Sequence, residues 1–153
     1  MSDHYVIFIP VDPRFIPDTS RQQRAVEYLR TIAPRPDEIT SVVHDGIRFV
    51  HAGGNFERIL CPACSAELQD RDNWWTECLN KDVDDSGFQL NVYQTPCCEA
   101  RVRLNDLIYE WPMGFAMCEI QTLNAGLGKV SPKIQQELEA ILATKLLVVY
   151  QRI

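Results

Sequence analysis

The order of elements readable in this 153-residue chain predicts an α+β fold. Three observations carry that expectation. A short apolar run followed by an amphipathic helix opens the chain, a second strand–helix–strand series closes it, and two cysteine pairs lie between them. With the middle segment set aside, a β-α-β then β-α-β series remains. That is the split βαβ of a ferredoxin-like sandwich, with two helices over one face of an antiparallel sheet. The expected organisation is a ferredoxin-like domain formed by residues 1–56 and 113–153, with a zinc-ribbon subdomain inserted as 57–112.

His4-Tyr5-Val6-Ile7-Phe8-Ile9-Pro10 is rich in β-formers and stopped by proline, so it reads as a buried strand. After a loop marked by Pro13 and Pro17, Ser20 with Gln23 three residues on predicts a capping box. Ala25, Val26, Leu29 and Ile32 then recur at helical spacing until Pro34 and Pro36. The runs from Ile39 to His44 and from Ile47 to His51 flank Asp45-Gly46, a favoured two-residue hairpin turn, and predict two paired strands. This extra strand is the main departure from a simple split βαβ, and it leaves another α+β topology open.

Phe56 to Leu60 predicts a strand leading into the first cysteine pair, and Asp72 to Lys81 a short helix carrying Trp74, Trp75, Cys78 and Leu79. Phe88 to Tyr93 alternates apolar and polar as a half-buried strand does, and Ala100 to Leu104 is its expected return. In the last third, Gly114 to Thr122 predicts a strand. Ser131-Pro132 marks a helix start, and Ile134, Leu138, Ile141 and Leu142 share one face. Leu146 to Tyr150 closes as a strand.

The pairs Cys61-Pro62-Ala63-Cys64 and Cys97-Cys98 supply four thiolates, the full coordination set of a structural Zn²⁺. The N-terminus lacks the basic region of a signal peptide, and no run is long enough to span a bilayer, so a cytoplasmic location without membrane contact is expected. In that reducing compartment cysteine pairs point to metal rather than disulfides. An iron–sulfur cluster or a redox pair uses the same residues. So does a set in which only one of the adjacent cysteines binds and Cys78 or His51 completes it. Otherwise Cys78, four residues from Trp74, reads as a small hydrophobe, as does Cys118 in its strand.

The run Thr95-Pro96-Cys97-Cys98, Leu104-Asn105-Asp106-Leu107, Tyr109-Glu110-Trp111-Pro112 and Gly114-Phe115-Ala116 follows an opening Ile7-Phe8-Ile9-Pro10. In this it resembles a group of uncharacterised bacterial zinc-ribbon proteins of about this length. Ser65 and Glu99 stand where such knuckles usually carry glycine. The resemblance implies the cysteine assignment and no activity.

The composition is that of an ordinary globular protein, 46% hydrophobic and 24% charged, and the net charge of −6 disfavours a general nucleic-acid binder. Local basic patches, Arg21 with Arg24 and Arg30 or Arg101 with Arg103, keep a nucleic-acid-binding ribbon as an alternative. Asp82-Val83-Asp84-Asp85-Ser86-Gly87 mimics the start of a calcium loop, but the twelfth position is Tyr93, so it reads as a solvated loop. Tyr109 and Trp111 are expected to seal the ribbon onto the sheet, the alternative being an exposed aromatic surface for a partner. There is no Gly-rich phosphate loop, HExxH or nucleophile elbow, so no catalytic residue is assigned. The expected function is a structural zinc protein acting by protein–protein contact, an adaptor or immunity-like partner of a basic protein. An enzyme would require one thiolate to give way to water.

Overall fold

The structure, a computed structural model, describes residues 2–153. β1 (His4–Pro10) is followed by α1 (Thr19–Ile32) and β2 (Ile39–Val50). The middle of the chain holds β3 (Arg58–Leu60), α2 (Trp74–Asp82), β4 (Val83–Asp84), β5 (Gly87–Phe88), β6 (Tyr93–Gln94) and β7 (Arg101–Val102). A 3₁₀ turn (Leu104–Asp106) and β8 (Ile108–Glu110) follow. The chain then returns through β9 (Gly114–Leu123), α3 (Pro132–Leu142) and β10 (Leu146–Arg152).

These elements make an α+β molecule with a central mixed sheet of strand order β10-β1-β9-β2-β5-β4 and three helices among the described residues. The four long strands are antiparallel neighbours throughout, with Phe8 facing Val148 on one side and Ile120 on the other. The short β5 joins the edge of β2 in parallel through Ile47 and Gly87. Alternation along β1 divides the core. Phe8 packs with Ala25, Val26 and Leu29 of α1 and Leu138 and Leu142 of α3, whereas Ile7 and Ile9 pack on the opposite face with Val149.

Both long helices follow their apolar spacing, but α1 starts differently from expectation. Its N-cap is Asp18, whose carboxylate accepts the Arg21 N–H at 2.8 Å, and Ser20 lies inside the first turn. A carboxylate also complements the positive end of the helix, so it outcompetes the hydroxyl two residues on. Ile32, expected on the buried face, is exposed at the last turn. α3 starts as predicted: Ser131 Oγ accepts the Ile134 N–H and Pro132 opens the first turn.

Asp45-Gly46 does not make a hairpin. Residues 39–50 form one long strand along β9, interrupted by a bulge between Val43 and Arg48. Neither Asp45 nor Gly46 has the positive φ that the turn requires. Gly46 is needed for another reason: a Cβ there would lie 1.9 Å from the Ser86 carbonyl oxygen, so the β4–β5 hairpin can sit against the bulge only if residue 46 is glycine.

A bulge bends a strand and increases its twist. Beyond it, β2 and β9 curl over the sheet face that the helices leave open, placing Val50 and Ala116 on Ile7, Ile9 and Val149. The chain then reaches the far edge of the sheet. The Gly54 N–H donates to the Arg152 carbonyl at 2.7 Å, the Arg152 N–H donates to the Ala52 carbonyl, and Asn55 donates to the Tyr150 carbonyl. Both faces of the sheet are thereby covered, one by helices and one by its own curled end.

The middle segment has little regular structure of its own. β3 pairs with β8, and β6 with β7. The expected single strand Phe88–Tyr93 is broken into β5 and β6, because Leu90 has a φ of 54° and the Leu90 and Asn91 N–H groups both turn to the Asp82 carboxylate. Its core is aromatic. Trp75 stacks on Phe56 at 5.8 Å and meets Phe49 and Tyr109 edge-on, and Phe49 stacks on Phe115 of β9 at 5.0 Å. Those last contacts fasten the middle segment to the sheet.

Candidate metal centre

Two knuckles carry the cysteines. After β3 the chain reverses at Cys61–Ser65, and between β6 and β7 it reverses at Thr95–Glu99. The reversals share one hydrogen-bond pattern. Cys61 N–H donates to the Ala66 carbonyl and Thr95 N–H to the Ala100 carbonyl, both at 2.9 Å. Ser65 N–H donates back to Cys61 and Glu99 N–H back to Thr95. Ser65 and Glu99 both take left-handed backbone, with φ of 63° and 58°. These are the two positions where glycine was the expected residue, and a side chain there costs some strain.

The match places Thr95 where the first knuckle has Cys61, Cys97 where it has Ala63, and Cys98 where it has Cys64. The second knuckle therefore offers its extra sulfur from inside the turn. Thr95 is buried in the vacated position. Its hydroxyl accepts the Ala100 N–H at 3.1 Å and lies 3.5 Å from Cys98 Sγ. The clue in the sequence was the offset between Cys-Pro-Ala-Cys-Ser and Thr-Pro-Cys-Cys-Glu.

The four sulfurs converge, all within 4.8 Å of one another. Cys61 and Cys98 stand 3.7 Å apart, Cys64 and Cys97 3.4 Å, and Cys97 and Cys98 3.8 Å. A tetrahedral ion with metal–sulfur bonds of about 2.3 Å requires sulfur–sulfur edges of about 3.8 Å. The set thus has the donors and the dimensions to hold a metal ion. Cys78 and His51 do not join it: Cys78 is buried in the aromatic core, and His51 Nδ1 accepts the Gly53 N–H at 3.0 Å.

Electrostatics favours a cation here. Burial disfavours ionisation of Cys61, but the N–H groups of Cys64 and Ala63 and the neighbouring thiols outweigh it and lower its pKa to about 6. Cys64 responds oppositely. The Ala66 N–H favours its thiolate, yet the adjoining sulfurs of Cys97, Cys98 and Cys61 push it up to about 12. Four thiolates this close repel one another, and a divalent ion removes the conflict. Elsewhere, burial pushes both Cys78 and Cys118 up to about 11, so these thiols are held neutral as core residues.

Two supports around the centre were not read from the sequence. Arg58 in β3 donates to Glu67 beyond the first knuckle and to both carboxylate oxygens of Glu110 in β8, each at 2.8 Å. The Arg58 hydrogen bond holds the Glu67 carboxyl below its usual range. Asp82, expected in a solvated loop, is buried and accepts from Leu90 N–H, Asn91 N–H and Tyr93 Oη–H at 2.7, 2.8 and 2.9 Å. It ties the end of α2 to the strand that delivers the second knuckle. An acid eight to eleven residues before its partners has no sequence signature.

The segment from Tyr109 to Trp111 divides. Tyr109 is buried and donates its hydroxyl to the Leu104 carbonyl at 2.7 Å, whereas Trp111 is exposed on left-handed backbone, with a φ of 35°. The first sealing role is filled; the second side chain stands at the surface. No helix of the described residues is long and apolar enough to cross a membrane.

The class of site these residues define is a closed four-cysteine centre built from two knuckles. No family model, curated protein or solved structure matches the chain, so the likeness to bacterial zinc-ribbon proteins rests on the quoted motifs alone.

Proposed function

We propose that this chain is a structural zinc protein in which Cys61, Cys64, Cys97 and Cys98 hold one Zn²⁺. The convergence of four sulfurs within 4.8 Å from two matched knuckles carries this reading. Zinc suits it because thiolates in a tetrahedral set are its preferred structural environment, and four of them leave no place for water or substrate. The insertion, residues 57–112, is then a zinc ribbon on a ferredoxin-like domain. The alternating antiparallel order of β10, β1, β9 and β2, with α1 and α3 on one face, supports that description. A reducing, cytoplasmic setting is the one in which such thiolates persist.

With the metal in an architectural role, function falls to the surfaces it positions, and we read these as a docking face for a basic protein. The net charge of −6 supports this. So does the use of arginines inside the fold: Arg21, Arg30 and Arg103 donate to the carbonyls of Ile141, Ile39 and Leu90. That leaves less of the expected basic patches for phosphates.

Metal analysis of purified protein tests the first half. About one zinc per chain is expected, lost on substitution of any of the four cysteines; a metal-free, fully folded chain overturns it. Affinity capture from the native cell tests the second half. A basic protein released by salt is the expected result, and nucleic acid recovered alone overturns it.

A further inference from the structure

A large cavity lies away from the cysteines, where the start of β1 and the end of β10 meet the loop between β9 and α3. It is an open cleft of about 760 Å³, within the roughly 300–1,000 Å³ typical of small-molecule sites. Its charge is opposite to that of the protein. The chain has 21 acidic and 15 basic residues, yet Arg35, Lys129 and Arg152 line this cleft and no Asp or Glu does. None of the three forms an ion pair among the described residues.

The loop contributes more than a lysine. In Ala125-Gly126-Leu127-Gly128-Lys129, both glycines have positive φ, 77° and 60°. The N–H groups of Gly126, Leu127, Gly128 and Lys129 have no protein acceptor among the described residues. Successive free N–H groups on a backbone that alternates in this way form anion-binding concavities. The loop is held in place from outside: the Arg35 N–H donates to the Ala125 carbonyl, Arg35 Nε to the Asn124 carbonyl, and the Val130 N–H to Tyr150 Oη.

The lining of the cleft is also aromatic. Trp111 meets Tyr150 edge-on at 6.4 Å, and Tyr5 stands on the neighbouring strand. Left-handed backbone is unusual for a bulky side chain, and such strain collects at functional positions. Here it holds an exposed indole at the cleft, where it can stack on a flat ring.

We infer that this cleft binds a nucleoside phosphate, with its phosphate on the Gly126–Lys129 loop, Lys129 and Arg152, and its base against Trp111 and Tyr150. The site is independent of the zinc reading in chemistry. It joins the two parts of the molecule, however, because Trp111 comes from the insertion and the loop from the sheet domain.

The test uses the full, metal-loaded chain and titrates it separately with AMP, GMP, CMP and UMP, with the four nucleosides, and with inorganic phosphate. Calorimetry gives affinity and tryptophan fluorescence reports the stacking. At least one nucleotide is expected to bind saturably, at least about tenfold more tightly than its nucleoside or phosphate, since charged hydrogen bonds and stacking each contribute about that factor. Lys129→Gln and Arg152→Gln should each weaken binding by about tenfold. Lys129 is an exposed loop residue, so its variant should fold normally. Trp111→Phe should abolish most of the fluorescence change while calorimetry still detects binding. No nucleotide binding at ~10 mM, a concentration above the ~1 mM dissociation constant of a weak ligand, overturns the proposal. Phosphate binding as tightly as the nucleotides, or nucleotide affinity unchanged in both cation variants, overturns it equally.

Discussion

The helix-covered half of the sheet and the cysteine-bearing middle segment are stabilised in different ways. In the first, regular elements bury apolar side chains: Phe8, Leu29, Leu138 and Leu142 are at most 1% exposed, Phe8 on a seven-residue strand and the leucines on capped helices. In the second, all six strands and the 3₁₀ turn are three residues long or shorter. Such pieces are too short to stand alone. They are held by one aromatic cluster, one buried carboxylate and the four converging cysteines. The difference shows where local structure can be written residue by residue and where it must be imposed by a few long-range fastenings.

The comparison can be broken most severely at the cysteines. Cys61→Ser or Cys98→Ser should release the metal, and structural zinc sites contribute about 10 kcal/mol or more, comparable with the whole stability of a domain. The middle segment should then lose near-ultraviolet tryptophan signal while far-ultraviolet helix signal from α1 and α3 largely remains. Phe8→Ala should act on the other half, lowering stability by about 3–5 kcal/mol in urea unfolding with zinc still bound. Asp82→Ala should cost about 3 kcal/mol, because the Leu90 and Asn91 N–H groups lose a charged acceptor. Its effect should appear as weaker zinc retention under chelator competition, because Asp82 sets the approach to the second knuckle. Ser65→Gly should sharpen the contrast by stabilising slightly, about 0.5 kcal/mol. It relieves left-handed backbone strain of about 1–2 kcal/mol against a smaller opposing gain in unfolded-state entropy of about 0.4–1 kcal/mol. The denaturation midpoint of the metal-loaded protein measures it.

The same contrast explains what could be read from the sequence. β1, α1, α3 and β10 were legible because apolar periodicity, prolines and caps are local signals, and the cluster of four cysteines because two closely spaced pairs are themselves a local signal. Asp45-Gly46 misled because its glycine serves contact with Ser86, about forty residues away, rather than a turn. Phe88–Tyr93 misled because alternation continues through Leu90, whose backbone is captured by Asp82. The exchange of Thr95 for a cysteine became visible only when the two knuckles could be laid hydrogen bond on hydrogen bond. The cation-lined cleft escaped because Arg35, Lys129 and Arg152 come from three distant parts of the chain.

Amide hydrogen exchange before and after zinc is removed by a chelator tests the central claim most directly. Protection should disappear across Arg58–Glu110 and persist in β1, α1, α3 and β10. Equal protection with and without metal across Arg58–Glu110, or loss spread evenly over the whole chain, would contradict the account.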